Sequence, residues 1–285
     1  MLIAQVTDIH LGFEPDNPDE FNRKRLDQIV SHLRTGVNRP DMLLATGDLV
    51  DRGDVGSYRH LKDAFAALPC PVIYAMGNHD ARDAFLEVFP ETPVDDDGFV
   101  QYVVELEGRR LIVVDTLEEG RHGGSFCAVR ARWLNARLEE APEIPTVIVM
   151  HHPPVEVGID WMNTHPDEPW VKRFADAIVG HGQVEALLCG HLHRAISAPW
   201  KGVTVSICSS SAPQVSLDLR PLDPDMPDER PMIVAEPPAY ALHRWADSGF
   251  VSLFGTVGDQ VMLAKYDKGL QPLVRSLIAE RPTPE

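Results

Sequence analysis

Short apolar runs of strand length alternate with amphipathic stretches over residues 1–210 of the chain. Several runs are rich in Val and Ile, and apolar side chains at helical spacing mark the stretches between them. Repetition of strand, helix and strand predicts parallel sheets with helices packed outside them. The predicted strands are 2–6, 42–45, 72–76, 100–106, 111–114, 147–150, 186–189 and 203–207. The predicted helices are 26–33, 57–68, 129–138 and 168–179.

Two regions depart from this alternation. The run 99–115 is broken by Glu107-Gly108-Arg109, which predicts an antiparallel hairpin. Residues 218–238 hold six prolines among many acids, which predicts an extended loop or lid. Strand-like runs resume after this loop and predict a small antiparallel β extension over 240–245, 250–257 and 260–266. We therefore expect a catalytic domain over 1–217 and a C-terminal cap or oligomerisation extension over 218–285.

The charge of the chain narrows the class of partner. Its 285 residues include 26 Lys and Arg against 43 Asp and Glu, a formal net charge of −17. Nucleic acid polymers and anionic membrane surfaces both require a basic face, so neither is an expected partner. No apolar run approaches the ~20 residues of a membrane-spanning helix, and the first residues do not read as a signal peptide. Four scattered cysteines without a Cys-x-x-Cys pair predict reduced thiols and a cytoplasmic location.

Five polar clusters each follow an apolar run. The carboxyl ends of strands in a parallel α/β sheet converge on one crevice, so residues distant in sequence meet there. The clusters are Asp8-Ile9-His10, Gly47-Asp48-Leu49-Val50-Asp51-Arg52-Gly53, Gly77-Asn78-His79-Asp80, His151-His152-Pro153-Pro154 and Gly190-His191-Leu192-His193.

The residue types in these clusters predict a metal centre. Asp, Asn and His together suit Mn, Fe, Co or Zn, and the lack of cysteine disfavours a structural zinc site. Asp8 and His10, like His191 and His193, are two residues apart, so on extended backbone both members of a pair face the same side. Each motif alone is weak evidence, but five clusters in this order form a strong joint signal.

The series of clusters resembles the calcineurin-like metallophosphoesterase superfamily over residues 1–210. Within it, the chain is most similar to class III cyclic nucleotide phosphodiesterases and bacterial glycerophosphodiesterases. The similarity lies in the short N-terminus, the sequence 47–53, His-His-Pro-Pro followed by Gly158, and Tyr-Ala-Leu-His at 240–243. The resemblance implies a four-layer αββα sandwich with a binuclear metal site, in which the C-terminal region forms a cap or an oligomer contact.

The resemblance also implies which residues hold the two ions, expected to be Mn, Fe, Zn or Co. One set of ligands is Asp8, His10, Asp48 and His193. The other set is Asp48, Asn78, His152 and His191. Asp48 bridges the ions, and family spacing selects His152 rather than His151.

Several further side chains are candidates for catalysis or substrate binding. His79, next to Asn78, is the expected acid for the leaving alkoxide, because imidazole titrates near neutrality. Asp80 is expected to orient His79. Arg52, Trp161 and His165 are candidate substrate contacts, together with Asn78 and His79. Outside the clusters, His122, His181 and His243 are expected in loops or at the surface.

The leading hypothesis from the sequence is an enzyme that hydrolyses small-molecule phosphodiesters, most directly 3′,5′-cyclic nucleotides. A glycerophosphodiester is the alternative substrate. A phosphomonoesterase would need extra cationic residues, which the clusters do not contain. A non-catalytic interaction protein on the same scaffold would be expected to have lost ligands, whereas every position is filled here. We expect a homo-oligomer.

Overall fold

The computed structural model describes residues 1–15 and 17–282 of the chain. Its helices are α1 (Phe21–Thr35), α2 (Val55–Phe65), α3 (Arg82–Val88), α4 (Ala128–Glu139), α5 (Pro169–Ile178) and α6 (Gln271–Ala279). Its strands are β1 (Ile3–Val6), β2 (Met42–Thr46), β3 (Val72–Ala75), β4 (Tyr102–Leu106), β5 (Arg109–Val113), β6 (Thr146–Val149), β7 (Val184–Cys189), β8 (Ile196–Trp200), β9 (Val203–Ile207), β10 (Gln214–Val215), β11 (Ile233–Val234), β12 (Ala239–Ala246) and β13 (Gly249–Thr256).

The strands form two large sheets and one short ladder. The first sheet has the order β13-β12-β1-β2-β3, and β1, β2 and β3 in it are parallel. The second has the order β4-β5-β6-β7-β9-β8, with β5, β6, β7 and β9 parallel. β4 and β5 form the hairpin expected at 99–115. β10 and β11 form a separate two-stranded ladder.

Side-chain alternation in the second sheet shows how the layers stack. On β6, Val147 and Val149 belong to the core shared with the first sheet, whereas Ile148 joins a second core with α4 and α5. This period-two alternation places one face of the strand against the other sheet and the other face against helices. The four-layer αββα sandwich expected from the sequence is confirmed.

The helices on the first sheet form where the sequence predicts amphipathic stretches. On α1, the side chains at helical spacing, Leu26, Ile29 and Leu33, are all buried. Asp54 precedes α2 and accepts a hydrogen bond from the Ser57 backbone N–H at 2.9 Å, which fixes where that helix begins. The predicted helices 129–138 and 168–179 correspond to α4 and α5.

The C-terminal part differs from the predicted division at residue 217. β12 pairs antiparallel with β1 and is buried over most of its length, so it completes the first sheet rather than lying outside it. β13 pairs with β12 as the expected hairpin. The third predicted strand, 260–266, is wrong, because these residues are exposed and belong to no strand. α6 contributes no buried side chain.

A chain of buried hydrogen bonds ties β12 to the core. His243, expected in a loop or at the surface, lies in β12 and is fully buried. Its Nε2 lies 2.9 Å from Gln5 Oε1 and its Nδ1 lies 2.9 Å from Ser252 Oγ. Gln5 Nε2 in turn donates to Thr46 Oγ1 at 2.8 Å. The neutral imidazole satisfies both partners, and burial lowers the pKa of His243 to about 3.

The free energy of unfolding is expected to fall as the pH drops below about 6.5, partly because of His243. The unfolded chain takes up a proton on this imidazole near its ordinary pKa, whereas the folded chain does so only near pH 3. His243→Gln should reduce the slope by up to about 1.4 kcal/mol per pH unit between pH 6 and 4. Urea unfolding at a series of pH values measures it.

The exposed His165 supplies the matched control for this experiment. His165→Gln should leave the pH slope of the unfolding free energy unchanged. The explanation fails if His243→Gln and the wild-type protein lose stability in parallel as the pH falls.

Candidate metal centre

The five polar clusters meet at one edge of the two sheets. They follow β1, β2, β3, β6 and β7, all of which are parallel strands within their own sheets. Hydrogen bonds between the clusters hold the loops together. The Asp8 N–H donates to Gly47 O at 3.1 Å, and the Gly190 N–H donates to His151 O at 3.0 Å. The carboxyl ends of the strands therefore form one crevice, as the alternation of strands and helices in the sequence predicts.

The backbone is strained at five of the predicted ligands. Asp8, His10 and Asp48 have φ values of 49°, 49° and 47°, and His191 and His193 have 70° and 54°. Residues other than glycine adopt this left-handed conformation rarely, and such residues concentrate at functional sites. The loops therefore hold these five residues in an unfavourable backbone conformation, which brings their side chains together.

The side chains of the first predicted ligand set lie close together. His10 Nε2 is 3.6 Å from Asp48 Oδ2 and 3.3 Å from His193 Nε2. His193 Nε2 is 3.4 Å from Asp8 Oδ1. Donor atoms of Asp8, His10 and His193 all lie within 4.8 Å of one another, which suits a shared cation.

The second predicted set is also gathered, around Asn78 and His191. Asn78 Oδ1 lies 3.1 Å from His191 Nδ1. His191 belongs to a second compact group of donor atoms with His151 and His152. Gly77 and Gly190 allow this closeness, since a Cβ on Gly77 would lie 2.3 Å from Asp48 Oδ1 and one on Gly190 would lie 1.9 Å from Thr7 Oγ1.

The hydrogen bonds of the two adjacent histidines favour His151 over His152 as a ligand. His152 Nδ1 lies 2.8 Å from Thr116 Oγ1, and its Nε2 lies 3.2 Å from His122 O. Both ring nitrogens of His152 therefore have protein partners. His151 Nδ1 instead donates to Thr46 O at 2.8 Å, which directs Nε2 toward Asp48 Oδ2 at 3.3 Å.

The surroundings of His151 Nε2 are those of a cation site. This atom is buried and has no hydrogen-bond partner among the described residues. Burial opposes protonation, yet the carboxylates of Asp48 and Asp8 raise the pKa of His151 to about 9. The same carboxylates would attract a metal ion to this position. The sequence-based choice of His152 thus disagrees with the geometry, because family spacing does not resolve two neighbouring imidazoles.

The donor set fits borderline divalent cations. Asp8 and Asp48 are both buried, and burial followed by the charge of Asp48 raises the pKa of Asp8 to about 6. Burial lowers the pKa of His191 to about 3, which keeps the imidazole neutral and one ring nitrogen free for a ligand role. Two carboxylates, a carboxamide and several neutral imidazoles without a thiolate match Mn, Fe, Co or Zn. Without a cation these carboxylates would be poorly compensated.

His79 lies beside this centre and faces the cleft. Its backbone N–H donates to Asp48 Oδ1 at 2.8 Å, and its ring lies 4.6 Å from that of His10. Its Nδ1 lies 2.9 Å from Asp51 O, which leaves Nε2 for a ligand. Asp51 also places Oδ1 3.3 Å from His10 Nδ1. A carboxylate on the far nitrogen of a metal-binding imidazole fixes its tautomer.

The expectation that Asp80 orients His79 is wrong. The Asp80 carboxylate is buried, does not line the cleft, and accepts hydrogen bonds from the Gly77 and Leu49 N–H groups and from the Tyr58 hydroxyl. Burial, together with the charge of Asp48, raises its pKa to about 7. Asp80 therefore ties the loop after β2 to the loop after β3, and consecutive residues on a turn need not face the same way.

The cleft in front of the centre has a volume of about 910 Å³. Of the predicted substrate contacts, Asn78, His79 and Trp161 line it. Arg52 does not, since its side chain is 63% exposed and turns toward Phe13 O. His165 does not line the cleft either. Its side chain is exposed, and its Nδ1 accepts a hydrogen bond from the Asp167 N–H.

One residue that the sequence analysis set aside does line the cleft. His122 lies in the loop after β5, and its ring is 6.2 Å from that of His79. Its loop continues into Gly123 and Gly124, and a Cβ on Gly124 would lie 2.9 Å from His152 Cβ. The available signal was the same as for the clusters, a polar residue in the loop after a strand of the parallel part of a sheet.

Comparison with known proteins identifies the class of this site. The profile of the calcineurin-like phosphoesterases matches residues 1–195. The chain belongs to this family, whose members are metal-dependent hydrolases of phosphate esters. The described residues include no helix long and apolar enough to cross a membrane.

Two curated relatives share the family. The chain is 37% identical over 205 residues to a probable cyclic nucleotide phosphodiesterase from Rhodopseudomonas palustris, covering 69% of this chain and 72% of the relative. It is 30% identical over 251 residues to a probable glycerophosphodiester phosphodiesterase from Arcobacter nitrofigilis, covering 87% and 89%. A solved dimetal phosphatase from Danio rerio has the same fold, with a TM-score of 0.62 at 14% identity, covering 90% of this chain and 99% of that one.

Proposed function

We propose that the protein hydrolyses small-molecule phosphodiesters with the help of two metal ions held at the converging loops. One observation carries the choice of a diester. Among the described residues that line the cleft, none is Lys or Arg, whereas Glu14 and Glu168 are acidic. A phosphomonoester carries up to two negative charges and needs additional cations, whereas a diester carries one. The net charge of −17 also disfavours a nucleic acid polymer.

In this proposal the seven ligands are Asp8, His10, Asp48, Asn78, His151, His191 and His193. Divalent ions bound there would offset charge on the phosphate oxygens and acidify a water molecule. Mn, Fe, Zn and Co all suit the donor set. Thr46 O and Asp51 Oδ1 orient the imidazoles of His151 and His10.

His79 acts on the phosphate or the leaving alcohol in this proposal. Its Nδ1 is anchored on Asp51 O, and its ring is part of the cleft wall. As an imidazolium, with Nδ1–H donating to Asp51 O, His79 can also donate from Nε2 a hydrogen bond to a phosphate oxygen or a proton to the departing alkoxide. Asn78 would contribute its carboxamide from the adjacent position.

A 3′,5′-cyclic nucleotide is the first candidate substrate. The relative at 37% identity is named for that activity, and the cleft offers apolar side chains for a base. A glycerophosphodiester is the second candidate, supported by the length of the match. The relative named for glycerophosphodiesters aligns over 87% of this chain, against 69% for the relative named for cyclic nucleotides.

The substrate is decided by turnover with Mn²⁺ present. The panel contains cAMP, cGMP, 2′,3′-cAMP, glycerophosphoethanolamine, bis(p-nitrophenyl) phosphate and the monoester p-nitrophenyl phosphate. We expect kcat/KM to be higher for cAMP or cGMP than for the monoester. Dominant turnover of glycerophosphoethanolamine would select the second candidate. Dominant turnover of the monoester, or none of any substrate, would overturn the proposed diesterase.

We also propose a homo-oligomer with a cytoplasmic location. The outer part of the C-terminal region exposes large apolar side chains, including Leu263, Leu273 and Leu277, which suits contact with a second copy. All four cysteines are unpaired, which supports a reducing compartment. Light scattering on the full chain tests the first proposal, and a monomer at working concentration would contradict it.

A further inference from the structure

Apolar side chains form part of the cleft beside the metal centre. Four of them are Trp161, Met162, Val215 and Ile233. Trp161 is 41% exposed and Ile233 is 51% exposed. Large apolar side chains grouped at the mouth of a cleft mark a place where a ligand covers them. We call these four residues the apolar wall. They are separate from the polar residues of the metal centre.

Two separate segments supply the apolar wall. Trp161 and Met162 lie on a single 3₁₀ turn, Asp160–Met162. This turn is held by Asn163, whose Oδ1 accepts from the Val157 N–H at 2.9 Å and from the Gly158 N–H at 2.8 Å. The Trp161 side chain is therefore presented by a fixed loop.

The other two members face each other across the β10–β11 ladder. Val215 and Ile233 are register partners there. Arg194 holds this ladder, because its Nε donates to Val215 O and its Nη2 lies 2.8 Å from Glu236 Oε1. Arg194 directly follows His193, so the apolar wall and a candidate metal ligand share one support.

The chain between the two ladder strands, 216–232, which we call the arm, returns to the first segment. The Leu222 N–H donates to Asp160 Oδ2 at 2.7 Å. Within the arm, Arg230 donates to Arg220 O and Pro221 O, each at 2.9 Å. The Asp160 contact thereby joins the two halves of the apolar wall within one chain.

We infer that the apolar wall is a specificity subsite for an aromatic group on one alcohol of the phosphodiester. This inference rests on the proposed function and names the substrate class of the same site. Trp161 and Ile233 contact the aromatic group, and Asp160 is a positioning residue that sets the spacing between them through the arm. A flat aromatic ring suits an indole and branched aliphatic side chains, whereas a polar glycerol would leave them exposed to water.

Two diesters with the same leaving group test the subsite. The pair is p-nitrophenyl phenyl phosphate and p-nitrophenyl methyl phosphate, which both release p-nitrophenolate and differ only in the group retained. With Mn²⁺, the wild-type protein should favour the phenyl diester in kcat/KM. Ile233→Ala and Trp161→Ala should each lower the phenyl-to-methyl ratio by about 5- to 20-fold. Val37→Ala, at an exposed position that does not line the cleft, should leave the ratio unchanged.

Asp160 is tested by substitution and conservative rescue. Asp160→Ala should lower the phenyl-to-methyl ratio, mainly through KM for the phenyl diester, whereas Asp160→Asn retains an oxygen acceptor for the Leu222 N–H and should restore it. A general loss of folding would lower turnover of both diesters and would not be rescued in this way.

The failures of the two proposals are distinguishable. If the wild-type protein cleaves neither diester, the proposed diesterase function falls. If it cleaves both and the ratio is the same in wild type, Ile233→Ala and Trp161→Ala, the subsite alone is overturned. A wild-type preference for the methyl diester would also overturn the subsite.

Discussion

Asp48→Ala is expected to abolish nearly all phosphodiesterase activity, by more than about 10³-fold, and to reduce the bound metal. Asp48 lies between the two groups of donor atoms, with Oδ2 3.6 Å from His10 Nε2 and 3.3 Å from His151 Nε2. Its removal takes away a buried carboxylate that faces both groups. The measurement is kcat/KM with bis(p-nitrophenyl) phosphate, together with metal content by mass spectrometry.

Two variants make the Asp48 result specific. Asp27→Ala, at an exposed position on α1, removes the same charge and should leave activity and metal content unchanged. His79→Ala should retain the metal and lose rate by about 10²–10⁴-fold, because in the proposed function His79 acts on the substrate and is not one of the seven ligands. An Asp48→Ala protein with a full complement of metal would contradict the bridging position. Equal metal loss in His79→Ala would contradict the role of His79.

The architecture followed from the sequence because its parallel strands and outer helices have simple periodicities. Buried strands such as β2 and β6 are continuous apolar runs, and α1 repeats its apolar residues at helical spacing. The missed elements lack these signals. α3 is only seven residues long, and β8 is an edge strand that contains Pro199, a residue that argues against a central strand.

The position of the C-terminal strands could not be read from local pattern. The residues of β12 predict a strand whether it joins the first sheet or a separate extension. Its partner β1 lies more than two hundred residues earlier in the chain. Strand pairing at such a separation depends on which sheet edge is left open by the rest of the fold. The expected boundary at residue 217 therefore separated a strand from the sheet that it completes.

At the site, the convergence of the clusters could be predicted from the sequence, but the orientation of the individual side chains could not. The clusters converge because parallel strands end at one edge, and this much is visible in sequence. Which atoms point inward depends on the local turn. Asp80 turns back to Gly77 and Leu49, and Asp51 reaches His10 instead. Asp and His adopt left-handed φ values more readily than most residues other than glycine, but their occurrence in a loop does not show which positions do so.

Substitution of His151 and of His152 is expected to affect the bound metal differently. His151→Ala should lower activity by about 10²–10³-fold and should reduce metal content, whereas His152→Ala should retain the metal. The reason lies in their partners. His151 Nε2 is directed at Asp48 and Asp8 and has no hydrogen bond within the part of the chain that the structure describes. Both ring nitrogens of His152, in contrast, contact Thr116 or His122. Metal titration of each purified variant measures the difference.

His152→Ala is the matched comparison, because it removes the same side chain one residue away and from an equally buried position. It should weaken activity by about 10- to 100-fold through the orientation of the loop that carries His122. Circular dichroism on both variants controls for loss of folding. If His152→Ala loses the metal and His151→Ala retains it, the ligand is His152, as family spacing suggests. Nε2 of His151 would then serve as a proton donor to the carboxylates of Asp48 and Asp8.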